Sequence, residues 1–201
     1  MQVLLVRHAL PLRNEPGQGS DPDLAQLGRQ QALRLPAALD RFPITRLLSS
    51  PQRRAVQTAQ PVAEALTLPV EIDDRLAEYD RGMSHYMPLE EVRAQRPEDW
   101  NRMAAGDLPE SVDLEEFRTR VLAGLRDMVA DVEHDQTVAV FTHGGVINVV
   151  LHDILKTPKP LGFPIDYASV TLLRYSRAGR FTVGGVNSIE HVWDLLPHRQ
   201  R

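Results

Sequence analysis

Val3-Leu4-Leu5-Val6-Arg7-His8 places four consecutive apolar residues directly before an arginine and a histidine. An apolar run of this length that ends in charge is typical of a strand buried on both faces of a parallel sheet. The same pattern recurs at Thr137-Val-Ala-Val-Phe-Thr142, which is followed by His143-Gly144-Gly145. Ligands of open parallel sheets bind at the carboxyl ends of the strands. We therefore expect His8 and His143 to meet at that edge, although they are far apart in the chain.

Turn and cap signals divide much of the remaining chain into helices. Ser50-Pro51 has the residue types of an N-cap and first helical position, which predicts a helix over 51–66. Asp113-x-x-Glu116 has the spacing of a capping box, and apolar residues recur after it at helical spacing. Gly144-Gly145 should open a further helix that runs to about Leu155.

Strands alternate with these helices. Ser169–Tyr175 and Arg180–Val186 have the composition of two strands around a turn. The alternation predicts an α/β fold, namely a three-layer α/β/α sandwich with a mainly parallel central sheet. Residues 73–111 are polar and interrupt the pattern, so we expect a small insertion of loops and short helices over the site. No linker separates independent units, and residues 1–201 are expected to form a single domain.

Composition limits the function classes. The chain has 201 residues, a formal net charge of −4 and no cysteine. The acidic balance does not favour nucleic acid as a partner. No signal sequence and no run of about 20 apolar residues is present, so we expect no membrane partner and a cytoplasmic location. Without cysteine or a His-Glu-x-x-His spacing, no metal and no other cofactor is expected.

Two arginines supply the charge that a phosphate group needs. Arg7 precedes His8, and Arg54 lies in the first turn of the predicted helix, just after a candidate strand at Arg46–Ser49. A guanidinium group stays charged at any working pH and can bind two phosphate oxygens in parallel. Gly144-Gly145 allows close approach of the backbone, and the helix that it opens directs free N–H groups toward an anion. The sequence therefore predicts a phosphate pocket.

Several segments, in their order along the chain, resemble the signatures of the histidine phosphatase superfamily, which includes the cofactor-dependent phosphoglycerate mutases. Leu5-Val-Arg-His8, followed by Asn14, is similar to the N-terminal signature. The further matches are Leu24-x-x-Leu27-Gly28-x-x-Gln31-Ala32, Ser49-Ser50-Pro51-x-x-Arg54-Ala55-x-x-Thr58-Ala59, Leu76-x-Glu78-x-x-x-Gly82, His143-Gly144-Gly145, and Asn187 with His191. Each match alone is weak, but the ordered set is specific. The resemblance implies a phosphoglycerate mutase-like fold and membership of the small phosphatase branch.

The resemblance also implies roles for the matching residues. His8 would be the nucleophile and would form a phosphohistidine. The residues that would bind the transferring phosphoryl group are Arg7, Asn14, Arg54, His143 and Gly144. Arg53 is an alternative to Arg54, but the register of Ala55 and Thr58 favours Arg54. Neutral imidazole is a competent nucleophile near neutral pH, which makes the role of His8 chemically reasonable.

Glu78 would serve as the acid that protonates the leaving alkoxide and then helps water attack the intermediate. A carboxylic acid in a closed pocket can have a raised pKa that suits this task. Asp80 is two residues away and stays open as an alternative proton donor.

Two positions depart from the family pattern near the nucleophile. Ala9 stands where glycine is usual, and Pro11 stands where serine or threonine is usual. Pro11 has neither a hydroxyl nor an N–H, so one contact to phosphate is lost. Leu10 makes the entrance more apolar. We expect these changes to affect the substrate and the rate more than the chemistry.

The predicted function is a metal-independent phosphomonoesterase that acts on a small phosphorylated metabolite. One alternative is a phosphotransferase of the phosphoglycerate mutase type, and another is a noncatalytic phosphate-binding module on the same fold. A mutase must exclude water from its phosphohistidine. The short sequence between Glu78 and the helix after Asp113 leaves little chain for a closed lid, which favours hydrolysis. The physiological substrate and the oligomeric state are left open by the sequence.

Overall fold

The computed structural model describes residues 1–13, 21–82, 89–130 and 132–199. Its strands are β1 (Gln2–Arg7), β2 (Ile44–Ser49), β3 (Val70–Ile72), β4 (Thr137–Thr142), β5 (Val170–Tyr175) and β6 (Phe181–Ser188). Its α-helices are α1 (Gln26–Ala32), α2 (Leu35–Leu39), α3 (Arg53–Leu66), α4 (Leu89–Gln95), α5 (Pro97–Ala104), α6 (Leu114–Ala130) and α7 (Gly144–Leu155). Short 3-10 helices lie at Asp74–Leu76, Glu190–Leu195 and Pro197–Arg199.

The strands form one mixed sheet in the order β3-β2-β4-β1-β5-β6. β1 to β4 are parallel, while β5 pairs antiparallel with β1 and forms a hairpin with β6. The prediction of a mainly parallel sheet with a final pair of strands around a turn is confirmed. β1 and β4 are direct neighbours, with Arg7 opposite Thr142, so their carboxyl ends reach the same edge together.

Helices cover both faces of the sheet, which confirms the three-layer sandwich. In β1, Val3 and Leu5 pack in the core against α6 and α7, whereas Leu4 and Val6 pack in the core against α2 and α3. Side chains alternate between the faces of a strand, so both faces are apolar only if every residue is apolar. This explains the continuous apolar run. Each such buried side chain contributes about 1.5–3 kcal/mol.

The helix predicted over 51–66 begins two residues later than expected, at Arg53. A side chain from another segment caps it there. The Asp21 carboxylate accepts a hydrogen bond from the backbone N–H of Arg53 at 2.7 Å and so satisfies the helix terminus from another segment. The Ser50 side chain is used elsewhere, in the site described below. At α6 the N-cap half of the predicted capping box is confirmed, because Asp113 accepts from the N–H of Glu116 at 3.0 Å, while the Glu116 carboxylate lies 3.5 Å from Arg120.

The segment 73–111 contains two short helices, α4 and α5, as expected for the insertion. The backbone N–H of Leu161 donates to the carbonyl of Gly106 at 2.8 Å, which joins the end of α5 to the segment after α7. None of the described helices combines the length and the apolar character that crossing a membrane requires.

Candidate active site

The ends of β1 and β4 bring His8 and His143 together, with 5.1 Å between their ring centroids. The His8 N–H donates to the carbonyl of Thr142 at 2.8 Å, so the pairing of the two strands continues into the site. The Nδ1 atom of His8 lies 2.8 Å from the carbonyl oxygen of Ala9. A carbonyl can only accept, so Nδ1 carries the proton and the lone pair of the neutral ring lies on Nε2. This is the tautomer in which Nε2 can act as a nucleophile.

His143 is fully buried and caps the start of α7. Its Nε2 atom lies 2.7 Å from the Ser50 hydroxyl. Its Nδ1 atom is buried and has no hydrogen-bond partner among the described residues. The ring of His143 packs against the ring of His8, which borders the site cavity.

Both histidines are held in the neutral form. Burial lowers the pKa of each ring well below its usual range, and the positive charge of Arg54 lowers it further. Arg7 adds to the same effect on His8. A neutral His8 keeps its lone pair available at neutral pH and below it.

Arg54 lies in the first turn of α3 and is almost completely buried. One terminal nitrogen of its guanidinium group donates to both carboxylate oxygens of Asp80, at 2.9 and 2.8 Å. Arg53 has a 61% exposed side chain and pairs with Asp23 at 2.7 Å. Of the two arginines, the one that borders the cavity is Arg54.

Arg7 is held by residues of the segment that precedes β5. Its guanidinium group donates to the carbonyl of Ile165 and stacks over the ring of Tyr167, with 4.0 Å from Cζ to the ring centroid. Tyr167 also packs against the His8 ring, at 5.6 Å between centroids. The buried Nε atom of Arg7 has no partner among the described residues. An ideal Cβ at Gly144 would lie 3.6 Å from that atom, so the start of α7 is close to Arg7.

Glu78 is buried at the N-terminus of α7. Its Oε2 atom accepts from the backbone N–H of Gly145 at 2.8 Å. A Cβ at Gly145 would lie 2.4 Å from Oε1, so this position has to be glycine for the carboxyl group to sit there. Burial, and after it the negative charge of Asp80, raise the pKa of Glu78 to about 7, although the bonds from the backbone N–H groups of Gly145 and Tyr79 oppose this rise. Such a group is partly protonated at neutral pH.

Gln52 links the two acidic residues, and sequence patterns gave no signal for it. Its side-chain oxygen accepts from the N–H of Glu78 at 2.7 Å, and its side-chain nitrogen donates to Asp80 at 2.8 Å. Gln52 therefore fixes the backbone at Glu78 and helps Arg54 to hold Asp80.

The turn after the nucleophile accommodates Ala9. Its N–H donates to the Thr58 hydroxyl at 2.9 Å, and that hydroxyl donates to the carbonyl of Arg54 at 2.7 Å. Ala9 is fully buried, so a methyl group fits where glycine is usual. Asn14, the remaining predicted phosphate ligand, lies outside the described residues.

These side chains border a cavity of about 680 Å³. The residues that border it include Arg7, His8, Arg54, Glu78, Asp80 and Gly144. In the described parts of the chain, no group of three or more His, Cys, Asp or Glu side chains could hold a metal ion. The geometry therefore offers a nucleophile, two guanidinium groups and a carboxylic acid around one space.

The chain belongs to the histidine phosphatase superfamily, branch 1, whose family model matches residues 3–188. It is thereby a phosphatase-type enzyme, and the family and fold expected from the ordered motifs are confirmed. Among its relatives, phosphoserine phosphatase 1 of Hydrogenobacter thermophilus is 36% identical over 151 residues, which cover 71% of each chain. A probable phosphoglycerate mutase of Proteus mirabilis is 30% identical over 167 residues, which cover 79% of this chain and 76% of that protein.

The solved structures that the fold resembles include a mycobacterial glucosyl-3-phosphoglycerate phosphatase. The two chains superpose with a TM-score of 0.76 and 25% identity, over 93% of this chain and 98% of the other. The similarity thus extends over the whole sheet and both helix layers, so the phosphoglycerate mutase-like fold class is confirmed.

Proposed function

We propose that this chain is a metal-independent phosphomonoesterase that hydrolyses a small phosphorylated metabolite through a phosphohistidine on His8. One observation supports this most strongly: a neutral histidine with its lone pair on Nε2 lies beside Arg7 and Arg54 on a shared cavity. Guanidinium groups offset the charge of the phosphoryl oxygens in the transition state, so no metal is needed for that purpose. The relatives named as phosphatases support the same reaction class.

In the first step the Nε2 lone pair of His8 forms a bond to phosphorus while the bond to the leaving oxygen breaks. Glu78 gives its proton to that oxygen, which leaves as an alcohol. In the second step water attacks the phosphohistidine, Glu78 takes a proton from the water, and His8 is regenerated with release of inorganic phosphate. The raised pKa of Glu78 suits both halves of this cycle.

His143 completes the phosphoryl site in this proposal. If the Ser50 hydroxyl donates to Nε2, the proton of the neutral ring lies on Nδ1. That N–H has no partner among the described residues, and a phosphoryl oxygen would provide one. Gly144 would contribute a backbone N–H at the start of α7.

Glu78 rather than Asp80 is assigned as the proton donor. Asp80 accepts two bonds from Arg54 and one from Gln52, so its oxygens are already used to hold the guanidinium group. Arg54 held in this way presents its charge at a defined position. The proton therefore comes from the carboxyl group whose pKa is about 7.

Hydrolysis is favoured over mutase chemistry because exposed residues line the cavity, including Ala104 and Ser111. Water that reaches the cavity would compete for the phosphohistidine that a mutase must protect. A cytoplasmic location without nucleic-acid or membrane partners belongs to the same proposal, supported by the acidic charge balance and the absence of cysteine.

We expect the purified protein to release phosphate from p-nitrophenyl phosphate at the same rate with and without EDTA. A parallel assay would supply 3-phosphoglycerate with 2,3-bisphosphoglycerate and follow isomerisation. Isomerisation without phosphate release would favour the mutase, and inactivity in both assays would favour a binding module. Loss of activity in EDTA that returns with added metal would contradict the metal-independent mechanism.

The pH dependence of kcat/KM tests the state of Glu78. A general acid must be protonated in the free enzyme, so kcat/KM for an alkyl phosphate should fall as pH rises through about 7, tenfold per unit beyond it. The substrate is already dianionic there, because its second pKa is about 6. Glu78→Gln should abolish this alkaline limb. A wild-type profile that stays flat between pH 6 and 9 would contradict the assignment.

A further inference from the structure

Helix α5 presents apolar side chains to the active-site cavity instead of to the core. Trp100, Met103 and Ala104 share one side of the helix and border the cavity that also contains His8. All residues of α5 are described, and none of them is buried. Apolar faces of helices in globular proteins normally pack against protein. Here the surface that this face meets is the interior of the substrate cavity.

A second part of the cavity lining is also apolar. It comes from the segment after α7 and contributes Leu161, Phe163 and Ile165, while Val92 of α4 adds to the surface of α5. We call the part of the cavity that these side chains of α4, α5 and the segment 161–165 border the slot. It lies beside the part bordered by Arg7, His8 and Arg54, since the Arg7 guanidinium group donates to the carbonyl of Ile165.

Hydrogen bonds fix both walls in place. Besides the bond from Leu161 to Gly106, Lys159 pairs with Asp107 at 2.6 Å. The Asn148 side chain of α7 donates to the carbonyl of Phe163 at 3.1 Å and accepts from its N–H at 3.0 Å. These hydrogen bonds give the slot a defined geometry.

Among the described residues that border the slot, positive charge is balanced by negative charge. Arg96 borders the cavity, and its guanidinium group lies 3.6 Å from the carboxylate of Asp99, which borders it as well. The pair brings no net positive charge to the slot, so it attracts a second anionic group, such as the carboxylate of a phosphoglycerate, less than a cation without a carboxylate partner would. A volume of about 680 Å³ is in the range of pockets that hold ligands of drug-like size. Size and charge together favour a large neutral group.

We propose that the preferred substrate is a phosphomonoester whose alcohol carries a neutral, apolar group of four or more carbons. This group packs between α5 and the segment 161–165, while its phosphate lies against Arg7 and Arg54. The inference rests on the proposed phosphatase function and adds the class of substrate to it. It distinguishes this chain from its relatives named for phosphoserine and for phosphoglycerate.

A series of primary alkyl phosphates isolates the contribution of the slot. Ethyl, butyl, hexyl and 2-phenylethyl phosphate have leaving alcohols of similar acidity, so differences in kcat/KM report binding of the organic group. A fully buried methylene group is worth about fourfold. We expect kcat/KM to rise at least about tenfold from ethyl to hexyl phosphate, and phosphoserine and 3-phosphoglycerate to react more slowly than the hexyl ester.

Substitution of the slot residues should reduce the rise of kcat/KM with the length of the alkyl group. Trp100→Ala is expected to lower the ratio of hexyl to ethyl kcat/KM at least about fivefold, because it removes the largest apolar surface of α5. Met103→Gln, which keeps side-chain length on the same helix, should lower the ratio less. The matched control is Trp193→Ala, since Trp193 is 48% exposed and lies in the 3-10 helix Glu190–Leu195, away from the cavity lining.

The possible outcomes separate the two proposals. Phosphate release with no dependence on chain length, or with phosphoserine as the best substrate, would overturn the apolar slot and leave the phosphatase function standing. If kcat/KM rises with chain length and Trp100→Ala does not change this rise, the organic group binds at another surface. That result would also overturn the proposed slot. No release from any ester, p-nitrophenyl phosphate included, would overturn both proposals.

Discussion

His8→Ala is expected to reduce kcat for phosphomonoester hydrolysis by at least about four orders of magnitude. The substitution removes the only group proposed to bond to phosphorus, and His143 cannot replace it. In the proposed tautomer of His143, Nε2 accepts from the Ser50 hydroxyl and Nδ1 carries the proton, so the fully buried ring has no lone pair free to attack phosphorus. Arg7 and Arg54, the proposed phosphate ligands, are unchanged in the variant, so KM should change far less than kcat.

The fold should survive this change. Within the described part of the chain, the His8 side chain makes a hydrogen bond to the carbonyl of Ala9, whose loss costs about 1 kcal/mol. Thermal unfolding should therefore shift by only several degrees for a domain of this size. His134→Ala is the matched control, because His134 is exposed between α6 and β4 and should leave the rate unchanged.

A direct readout accompanies the kinetics. Wild-type enzyme that is quenched during turnover should carry an acid-labile, base-stable phosphoryl group, as expected for phosphohistidine, and the His8→Ala variant should carry none. A variant that keeps a substantial rate beside an unchanged melting curve would rule out His8 as the nucleophile. If the phosphoryl group were found on His143 instead, His143 would be the nucleophile.

The sequence predicts the centre of this site because its parts follow adjacent parallel strands. His8 directly follows β1 and His143 directly follows β4, and these two buried apolar strands pair with each other. Arg54 follows β2, which is the other neighbour of β4. Local pattern and sheet topology together were sufficient to place these three side chains at one edge.

The supporting contacts could not be predicted, because they depend on tertiary geometry. Tyr167 comes from the connection before the antiparallel strand β5, and nothing in its neighbourhood indicates that its ring packs on Arg7 and His8. Gln52 occupies an unspecified position in its motif, yet it bonds both acidic residues. The sequence favours Ser50 as a helix cap, but its hydroxyl contacts His143.

The acidic pair shows how the structure narrows a choice that the sequence leaves open. Glu78 and Asp80 both lie in the loop after the 3-10 helix at Asp74–Leu76, and spacing alone does not separate them. Their surroundings differ, because one carboxyl group is bound by backbone N–H groups and the other by Arg54. Roles of paired carboxyl groups are set by such environments.

Glu78→Gln is expected to lower kcat/KM for ethyl phosphate by about 10²–10⁴-fold, the usual contribution of a general acid. The loss for p-nitrophenyl phosphate should be below about tenfold, because nitrophenolate leaves without a proton. Glutamine has nearly the same shape, and its side-chain oxygen can still accept from Gly145, so the start of α7 is preserved. kcat/KM reports the steps up to release of the first product, which keeps the comparison on phosphoryl transfer to His8.

Asp80→Asn separates the two carboxyl groups. It weakens the ion pair with Arg54, the proposed phosphate ligand for every substrate, so both kcat/KM values should fall by a similar factor. The opposite result would identify Asp80 as the general acid. In that case Asp80→Asn would lower kcat/KM for ethyl phosphate alone, and Glu78→Gln would lower kcat/KM for both substrates equally.

The second half of the cycle provides an independent check on Glu78, because the same carboxyl group must then accept a proton from water. In Glu78→Gln, p-nitrophenyl phosphate should still phosphorylate His8, but hydrolysis of the phosphohistidine should become rate-limiting. Rapid mixing should then show a burst of nitrophenol close to one equivalent of enzyme, followed by a slow steady state. A single slow phase without a burst would mean that the first step is impaired for an activated leaving group as well. Since that leaving group needs no proton, Glu78 would then act by shaping the phosphate pocket and not as the acid.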